Sequence, residues 1–313
     1  MNILLVVNAV ASGVTPRNHA MVEECLRESH EVDVVVTAAR QHACTLAGDA
    51  TEAGADAVVV LGGDGTVNEV ANGLVDSDTA LGVLPGGSTN VFARTLGFSN
   101  RPVTAVRLLV DALEARSIRR IGVGQAGSRS FLFHVGAGFD AAVVQQVERR
   151  GELKRWLGHG LFAFAAVTTW LSHYDRSRPR FRVHLPDGEV IPDGYFAIFE
   201  ETDPYTFLGP RPFRVAPGTG FDTGLSAVVL RDLSAATLVG AAAAALAGGT
   251  RLAGMGCVAV RAGLESVRVE GLGPFPWQVD GDFMGEVETL RITHRPGCLD
   301  VVVPVRTGGG NAT

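Results

Sequence analysis

The chain has 313 residues, of which 46% are hydrophobic and 19% are charged. This composition is typical of a folded protein long enough for two domains, and it excludes an intrinsically disordered chain. The formal net charge of −6 argues against a nucleic-acid partner, because nucleic-acid binders usually carry a basic face. No apolar segment of the sequence has the length of a transmembrane helix.

Strands and helices alternate in the first third of the sequence. The predicted strands are 2–8, 31–37, 57–61 and 81–84, and the predicted helices are 19–29, 41–52, 65–74 and 90–96. This alternation predicts a parallel sheet with right-handed crossovers and helices on both faces. We therefore expect residues 1–122 to form an α/β nucleotide-binding domain.

After residue 122 the sequence changes to short apolar segments joined by turns. The predicted strands are 130–135, 181–185, 195–199, 226–230, 266–270 and 288–292, and the predicted helices are 141–173 and 233–247. Ser234 is the expected N-cap of the second helix, and Asp187-Gly188 has the composition of a hairpin tip. We expect residues 123–306 to form a mostly antiparallel β-sandwich domain, followed by a disordered tail at 307–313.

A glycine-rich turn separates a strand from a helix in VVVLGGDGTVNEVANGL, residues 58–74. Thr66 and Glu69 have capping-box spacing, which predicts that Thr66 caps this helix. Gly62, Gly63 and Gly65 permit positive φ and the close approach of another molecule, and a helix N-terminus attracts anions. A tight turn without any ligand explains this stretch alone equally well.

The segment LPGGSTNVFAR, residues 84–94, repeats the pattern of strand, glycines and helix. Its candidate ligand-binding residues are Gly86, Gly87, Ser88, Thr89 and Asn90. Because neighbouring parallel strands end at the same sheet edge, two such loops together predict a phosphate site. Neither loop matches the Walker motif or the dinucleotide fingerprint.

Asp64 lies within the first glycine-rich loop, where its charge would repel an unaided phosphate. A carboxylate at this position therefore indicates Mg²⁺ held between the protein and a polyphosphate, with ATP as the phosphoryl donor. Asn68 and Glu69, on the helix that follows, are further candidates for organising the metal.

The ordered set of motifs resembles the diacylglycerol kinase catalytic family, which includes bacterial lipid kinases and the sphingosine kinases. GGDGTVNEVANGL and LPGGSTNVFARTLG carry the resemblance. Five further segments match the family's motifs in order: VVNAVASG (6–13), VGAGFDAAVV (135–144), ETDPYTFLG (201–209), VAPGTGFDTGLS (215–226) and VDGDFMGE (279–286). The GGDGT element alone is not specific, since NAD kinases and phosphofructokinases carry relatives of it. Glu201 stands where the family usually has Asn.

The resemblance implies an ATP- and Mg²⁺-dependent lipid kinase with a phosphofructokinase/NAD kinase-like first domain. It adds Asn8, Ser12, Thr37 and Asp282 to the expected nucleotide contacts and places Asp222 at a structural Mg²⁺ site. It also implies that Asp280 is the catalytic base. From the residues alone Asp280-Gly281 is ambiguous, because Asp-Gly is the commonest hairpin-turn dipeptide.

The acceptor implied by the resemblance is a lipid hydroxyl, most simply that of diacylglycerol, which would yield phosphatidic acid. The sequence does not select diacylglycerol over a sphingoid base or another lipid alcohol, and an NAD kinase-like enzyme or a non-catalytic nucleotide- or lipid-binding module stays open. A basic cluster at 149–156 precedes the apolar segment 161–171, which is typical of a membrane-surface contact and equally of a solvated helix face. We expect a cytoplasmic protein that contacts the inner face of the membrane transiently, and a homodimer is compatible with the sequence.

Overall fold

The computed structural model describes residues 1–148, 174 and 177–305. The chain divides into two compact units, Met1–Ile121 with the residues from Cys298 onward, and Gly122–Gly297. The predicted boundary after residue 122 lies one residue from the boundary between these units. The residues from Cys298 onward were predicted in the second domain but belong to the first unit. Most of the predicted helix 141–173, the basic cluster 149–156 and the predicted tail 307–313 lie outside the described residues.

The first unit is a parallel α/β unit, as predicted. Its strands are β1 (Asn2–Val7), β2 (Glu31–Val36), β3 (Ala57–Gly62) and β4 (Ala80–Pro85), and its helices are α1 (Pro16–Arg27), α2 (His42–Glu52), α3 (Asp64–Leu74), α4 (Val91–Thr95) and α5 (Pro102–Glu114). The four strands pair in the order β4-β3-β1-β2, and all three pairings are parallel. Every residue of β3 and β4 is buried, as expected for a parallel sheet covered on both faces.

The four predicted helices of this unit start one to three residues from their predicted positions, and the capping residues explain two of these starts. Helix α1 begins at Pro16 instead of residue 19, because Thr15 Oγ1 accepts a hydrogen bond from the Asn18 N–H at 3.1 Å and caps the helix there. Helix α3 begins at Asp64, so Gly63 is its N-cap and the predicted capping role of Thr66 is wrong. The Thr66 hydroxyl accepts a hydrogen bond from Asn8 instead.

The second unit is built mostly from antiparallel strands, and the predicted fold class is confirmed. Its elements, with the two strands that extend into the first unit, are β5 (Ile118–Ala126), β6 (Arg129–Phe131), β7 (His134–Gly138), α6 (Phe139–Glu148), β8 (Phe181–His184), β9 (Val190–Gly194), β10 (Phe196–Glu200), β11 (Thr206–Leu208), β12 (Arg211–Phe213), β13 (Leu225–Leu230), α7 (Ala235–Leu246), β14 (Val258–Leu264), β15 (Ser266–Val279) and β16 (Asp282–Val302). The strand path β14-β13-β10-β7-β15-β16 is antiparallel within this unit.

Strand alternation gives the second unit two apolar layers. Ala197 and Phe199 of β10 pack into one hydrophobic cluster, whereas Ile198 between them packs into another with residues of α7. This is the period-two pattern of a sheet that is covered on both faces. The predicted N-cap of α7 is confirmed, because Ser234 Oγ accepts a hydrogen bond from the Thr237 N–H at 3.2 Å. The predicted hairpin tip at Asp187-Gly188 joins β8 to β9.

None of the helices in the described residues is both long and apolar enough to cross a bilayer. The four cysteines, Cys25, Cys44, Cys257 and Cys298, are free thiols.

We predict opposite stability effects for two helical glycines of the first unit. A Cβ at Gly73 of α3 would lie 2.5 Å from the Cys44 carbonyl oxygen of α2, whereas a Cβ at Gly48 of α2 would meet nothing within 4 Å. Gly73→Ala should therefore lower the free energy of unfolding by about 1–3 kcal/mol, and Gly48→Ala should raise it by about 0.5–1 kcal/mol through helix propensity. Urea denaturation of both variants tests this, and a stabilised Gly73→Ala protein would contradict the close packing of α2 on α3.

Candidate active site

The predicted nucleotide-binding residues of the first unit lie at the carboxyl edge of its parallel sheet. In the strand register, Val7 at the end of β1 pairs with Val36 and Leu61, and Gly62 pairs with Pro85. Asn8, Thr37 and the glycine-rich loops at 62–66 and 86–90 therefore follow strands that end level with one another. The structure brings these residues to one edge, where ligands bind in open α/β sheets.

Hydrogen bonds connect the three loops at this edge. The Gly86 N–H donates to the Gly62 carbonyl oxygen at 2.8 Å, and the Gly13 N–H donates to the Gly86 carbonyl oxygen at 2.8 Å. Asn8 Nδ2 donates to Thr66 Oγ1 at 2.8 Å, which joins the end of β1 to the first turn of α3. The loops therefore form one connected surface.

Close approach explains Gly86 and Gly87 of these loops. None of Gly62, Gly63, Gly65, Gly86 and Gly87 has a positive φ, so positive φ is not the reason for glycine at these positions. A Cβ at position 86 would lie 2.8 Å from the Gly62 nitrogen, and one at position 87 would lie 2.8 Å from the Gly63 Cα. Real Cβ atoms do not approach backbone atoms so closely, which excludes side chains at both positions.

The N-terminus of α3 faces this surface without a side-chain cap. Its N-cap is Gly63, and no side-chain capping bond is made there in the described part of the chain. The first N–H groups of a helix have no intrahelical partner and carry partial positive charge. Gly65, Ser12 and Ser88 are exposed at this edge, and Thr89 is half-buried. This arrangement suits an external anion.

Two predicted metal-organising residues of α3 differ in their burial. Asn68 is fully buried and accepts a hydrogen bond from Asn72 Nδ2 at 3.2 Å through its side-chain oxygen. This hydrogen bond lies within α3. Glu69 is half-buried.

Asp64 caps the short helix α4. Its Oδ1 accepts a hydrogen bond from the Phe92 N–H at 3.1 Å. Burial raises the pKa of this carboxyl group, and the backbone N–H groups of residues 90–92 and the Arg94 charge oppose that effect. The carboxylate therefore faces the N–H groups that begin α4, and its role as a Mg²⁺ ligand stays a prediction. Within the described residues, no three His, Cys, Asp or Glu side chains form a group that could hold a metal ion.

Asn90 fixes the second glycine-rich loop from within. It adopts a left-handed conformation with φ of 53° as the N-cap of α4. Its Oδ1 accepts a hydrogen bond from the Gly87 N–H at 2.7 Å, and its Nδ2 donates to the Asn100 side-chain oxygen at 2.8 Å. Asn is one of the few non-glycine residues that tolerate this conformation, so Asn90 is explained by loop structure whether or not it contacts nucleotide.

In the second unit, Asp280-Gly281 forms the two-residue turn between β15 and β16. Val279 pairs with Asp282, and the φ angles of 47° and 84° at Asp280 and Gly281 fit the hairpin turn that Asp-Gly favours. The structure confirms the turn. The catalytic role of Asp280 stays a prediction.

The Asp280 carboxylate also anchors a neighbouring loop. Oδ2 accepts the Leu132 N–H at 2.8 Å, and Oδ1 accepts the N–H groups of Phe133 and His134, each at 3.0 Å. These bonds replace strand pairing, which is why the predicted strand 130–135 is two strands, β6 and β7.

Several polar residues around this turn were not selected from the sequence. The Gly281 N–H donates to Gln278 Oε1 at 2.8 Å, Gln278 Nε2 donates to Asp140 Oδ2 at 2.6 Å, and the Tyr205 hydroxyl donates to Asp140 Oδ1 at 2.7 Å. Arg129 forms an ion pair with Asp282 at 2.8 Å. Asp140 lies in the segment VGAGFDAAVV, so a signal existed for it, whereas Gln278 and Arg129 follow no spacing rule.

Glu201, the residue that departs from the family pattern, is fully buried against His294. Its Oε1 lies 2.7 Å from His294 Nδ1. Burial raises the pKa of Glu201 to about 7, with His294 opposing the effect and the Asp280 charge adding to it. The bond to Glu201 raises the pKa of His294. Asp222, the predicted structural metal ligand, is exposed, and its metal role stays a prediction.

Known proteins resemble this chain in sequence and in fold. Residues 2–126 match the model of the diacylglycerol kinase catalytic domain. The resemblance predicted from the motifs is thereby confirmed. A protein from Chromohalobacter salexigens named "Probable lipid kinase YegS-like" is 36% identical over 57% of this chain, and the alignment spans 56% of that relative's length. The diacylglycerol kinase of Bacillus subtilis (strain 168) is 40% identical over 31% of this chain and 34% of its own length.

Solved structures with the same fold align with nearly the whole chain. A Bacillus anthracis str. Sterne protein described as a candidate diacylglycerol kinase has a TM-score of 0.77 at 20% identity, over 96% of this chain and 95% of its own. An NAD kinase from Archaeoglobus fulgidus in complex with ATP has a TM-score of 0.53 at 12% identity, over 97% of this chain and 94% of its own. At these identities the likeness shows the fold alone.

Replacement of Asp64 separates its capping role from its charge. Asp64→Asn keeps an oxygen that can accept the Phe92 N–H, whereas Asp64→Ala removes it and should lower the free energy of unfolding by about 1 kcal/mol. If the charge organises a metal–nucleotide complex, both variants should lose nucleotide turnover, although only Asp64→Ala loses stability. Thermal denaturation and turnover of the two proteins test this. An Asp64→Asn protein with wild-type turnover would show that the cap is the only role of Asp64.

Stability should fall as the pH rises through neutrality because of the Glu201–His294 pair. Folded Glu201 holds its proton up to about pH 7, whereas the unfolded residue releases it near 4.5, so stability falls as the pH rises between these values. The raised pKa of His294 acts in the same direction above 6.5, where the unfolded residue loses its proton first. Urea midpoints measured from about pH 5 to 8 should therefore decline less steeply for Glu201→Gln than for wild type or for a Glu31→Gln control. Equal slopes would contradict the raised pKa.

Proposed function

We propose that the protein is an ATP-dependent lipid kinase that transfers the γ-phosphoryl group of ATP to a lipid hydroxyl, with diacylglycerol as the first candidate acceptor. The observation that carries the proposal is the connected surface of Asn8–Gly13, Gly62–Thr66 and Gly86–Asn90 at the carboxyl edge of the parallel sheet. This surface combines closely packed glycine backbone with the uncapped N-terminus of α3, which is the chemistry that binds phosphate.

The proposed reaction needs little covalent chemistry from the protein. The acceptor oxygen forms a bond to the γ-phosphorus as the bond between that phosphorus and the ADP oxygen breaks, and ADP leaves. The hydroxyl proton passes to the carboxylate of Asp280, which acts as general base. Backbone N–H groups of the first unit, with the hydroxyls of Ser12, Thr66 and Thr89, would stabilise phosphate charge.

The comparisons support a kinase of the lipid kinase family. The relatives include proteins named lipid kinases and, in Bacillus subtilis, a diacylglycerol kinase. Several of the former align over nearly the whole chain, as does the Pseudomonas aeruginosa protein at 28% identity over 96% of this chain. The relatives named lipid kinases align beyond residue 126, where the match to the family model ends.

Two alternative functions remain to be tested against this one. An NAD kinase-like enzyme is favoured by the fold shared with the Archaeoglobus fulgidus structure. A non-catalytic module would bind nucleotide or lipid and transfer nothing, since fold alone does not fix function. Contact with the inner face of the membrane, a cytoplasmic location and a homodimer stay predictions.

An acceptor panel tests the proposal. The protein would be incubated with γ-labelled ATP, Mg²⁺ and mixed micelles that contain diacylglycerol, a sphingoid base or another lipid alcohol, with NAD in a parallel reaction. Label in phosphatidic acid supports the proposal in its full form, and label only in another lipid corrects the acceptor. Label in NADP and in no lipid, or ATP binding without transfer to any acceptor, would contradict it.

We predict that Asp280→Asn lowers kcat by about 10²–10⁴-fold, the range typical of general-base loss, while ATP affinity changes little. Asparagine also places an NH₂ group against one of the three N–H donors of residues 132–134, so this variant should lose stability too. The matched control is Asp187→Asn at the other Asp-Gly turn, whose carboxylate accepts the Glu189 N–H at 2.9 Å.

Turnover per folded molecule, measured below the unfolding temperature of each variant, separates catalysis from stability. Wild-type turnover by folded Asp280→Asn protein would overturn the assignment of the base. Equal losses of turnover in the Asp187→Asn control would do the same.

A further inference from the structure

Two buried side chains link α6 to the turn that carries Asp280. Gln278 is fully buried and Asp140 is 8% exposed. Gln278 Nε2 donates to Asp140 Oδ2 at 2.6 Å, while Gln278 Oε1 accepts the Gly281 N–H at 2.8 Å. We refer to Asp140, Gln278 and the Gly281 N–H as the polar relay. An amide has its donor and acceptor on opposite sides, so the Asp140 carboxylate, which only accepts, determines that the Gln278 oxygen faces Gly281.

The backbone around the relay is shaped to admit it. A Cβ at Gly136 would lie 1.8 Å from Asp140 Oδ2 and 2.6 Å from Gln278 Nε2. Gly136 pairs with Gln278 across β7 and β15, so the relay fills the space above a position where no side chain fits. The Tyr205 hydroxyl supplies the second hydrogen bond to Asp140.

The relay acts directly on the peptide that follows Asp280. The Gly281 nitrogen belongs to the 280–281 peptide unit, so its bond to Gln278 restrains the ψ angle of Asp280. Asp280 has a φ of 47°, the left-handed conformation that the first residue of this hairpin turn requires. The carboxylate is bonded on the other side to residues 132–134. These two anchors together determine the direction of the carboxylate.

We propose that Asp140 and Gln278 are positioning residues for Asp280, holding the 280–281 turn so that the carboxylate keeps the orientation in which it accepts the proton of the acceptor hydroxyl. This inference rests on the proposed function, because Asp280 is the proposed base. Neither residue needs to touch substrate. Misplacement of a reacting group by about 1 Å can cost about 100-fold in rate, so a loose turn should reduce kcat strongly.

An exchange of donor and acceptor tests the relay. Gln278→Glu places two carboxylates where the present atoms are 2.6 Å apart, so one of them must bind a proton or the pair must separate. The double variant Asp140→Asn/Gln278→Glu exchanges the two roles. The new amide at position 140 can donate to the new carboxylate at position 278, which can still accept the Gly281 N–H, and the total charge equals that of the wild type. Ser226→Ala is the stability control, because it removes a buried 2.7 Å bond from Thr219 that has no link to the turn.

We expect kcat to fall about 10- to 100-fold in Gln278→Glu, with little change in KM for ATP, and to recover largely in the double variant. The deficit of Gln278→Glu relative to wild type should shrink as the pH is lowered, because protonation of one carboxylate restores a donor. Ser226→Ala should lose stability and keep kcat. The Gly281 N–H should exchange with solvent faster in Gln278→Glu alone, as measured by NMR.

The outcomes distinguish this inference from the proposed function. If the wild-type protein transfers no phosphoryl group, the proposed function fails, and Gly281 exchange in the single and double variants still tests the relay. Wild-type kcat and exchange in Gln278→Glu would overturn the inference while the proposed function stands. Fast Gly281 exchange with unchanged kcat would also overturn it, as would a double variant no better than Gln278→Glu.

Discussion

The close approach of Gly86 to Gly62 is the constraint on which the candidate nucleotide site depends. A 2.8 Å backbone bond joins the two loops, and a Cβ at position 86 would collide with the Gly62 nitrogen. The same Gly86 carbonyl accepts the Gly13 N–H, so the loop after β1 is held by the same point. The three loops are therefore fixed before any ligand arrives, and preorganised N–H groups stabilise charge without reorganisation.

Side chains that join elements distant in sequence complete both candidate regions. In the first unit, Asp64 of α3 caps α4, and Asn8 bonds to Thr66. In the second unit, Asp280 bonds to residues 132–134, and Gln278 connects its turn to Asp140. In each region a carboxylate from one loop satisfies the exposed N–H groups of another. These residues thus combine structural roles with the chemical roles proposed for them, so tests of function require stability controls.

The sequence predicted the alternating first unit well because its strands are short apolar runs, of which β3 and β4 are buried throughout, and glycine-rich loops follow these two strands. Helix α5 was missed although Ala105, Val106, Leu109, Ala112 and Leu113 are buried at helical spacing, which is a pattern that the prediction overlooked. The capping assignment of Thr66 failed because the helix already begins at Asp64, and the Thr66 hydroxyl accepts a hydrogen bond from Asn8. No local pattern reveals a partner 58 residues away.

In the second unit the sequence located the Asp280 turn and the Asp187 hairpin from their Asp-Gly pairs. It could not reveal that the Asp280 carboxylate breaks the segment 130–135 into two strands, or that Gln278 faces Asp140. Those contacts span about 140 residues and depend on the sheet register, which periodicity does not determine. Glu201 was noticed only as a departure from the family pattern, and its pairing with His294 emerged from the fold.

The central claim is that the glycine-rich edge of the first unit binds the phosphates of ATP, and backbone NMR tests it most directly. Titration with ATP should shift the amide resonances of residues 62–66 and 86–90 and of Gly13, and titration with adenosine should leave them nearly unchanged. Shifts of equal size with adenosine, or shifts from ATP confined to residues away from this edge, would contradict the account.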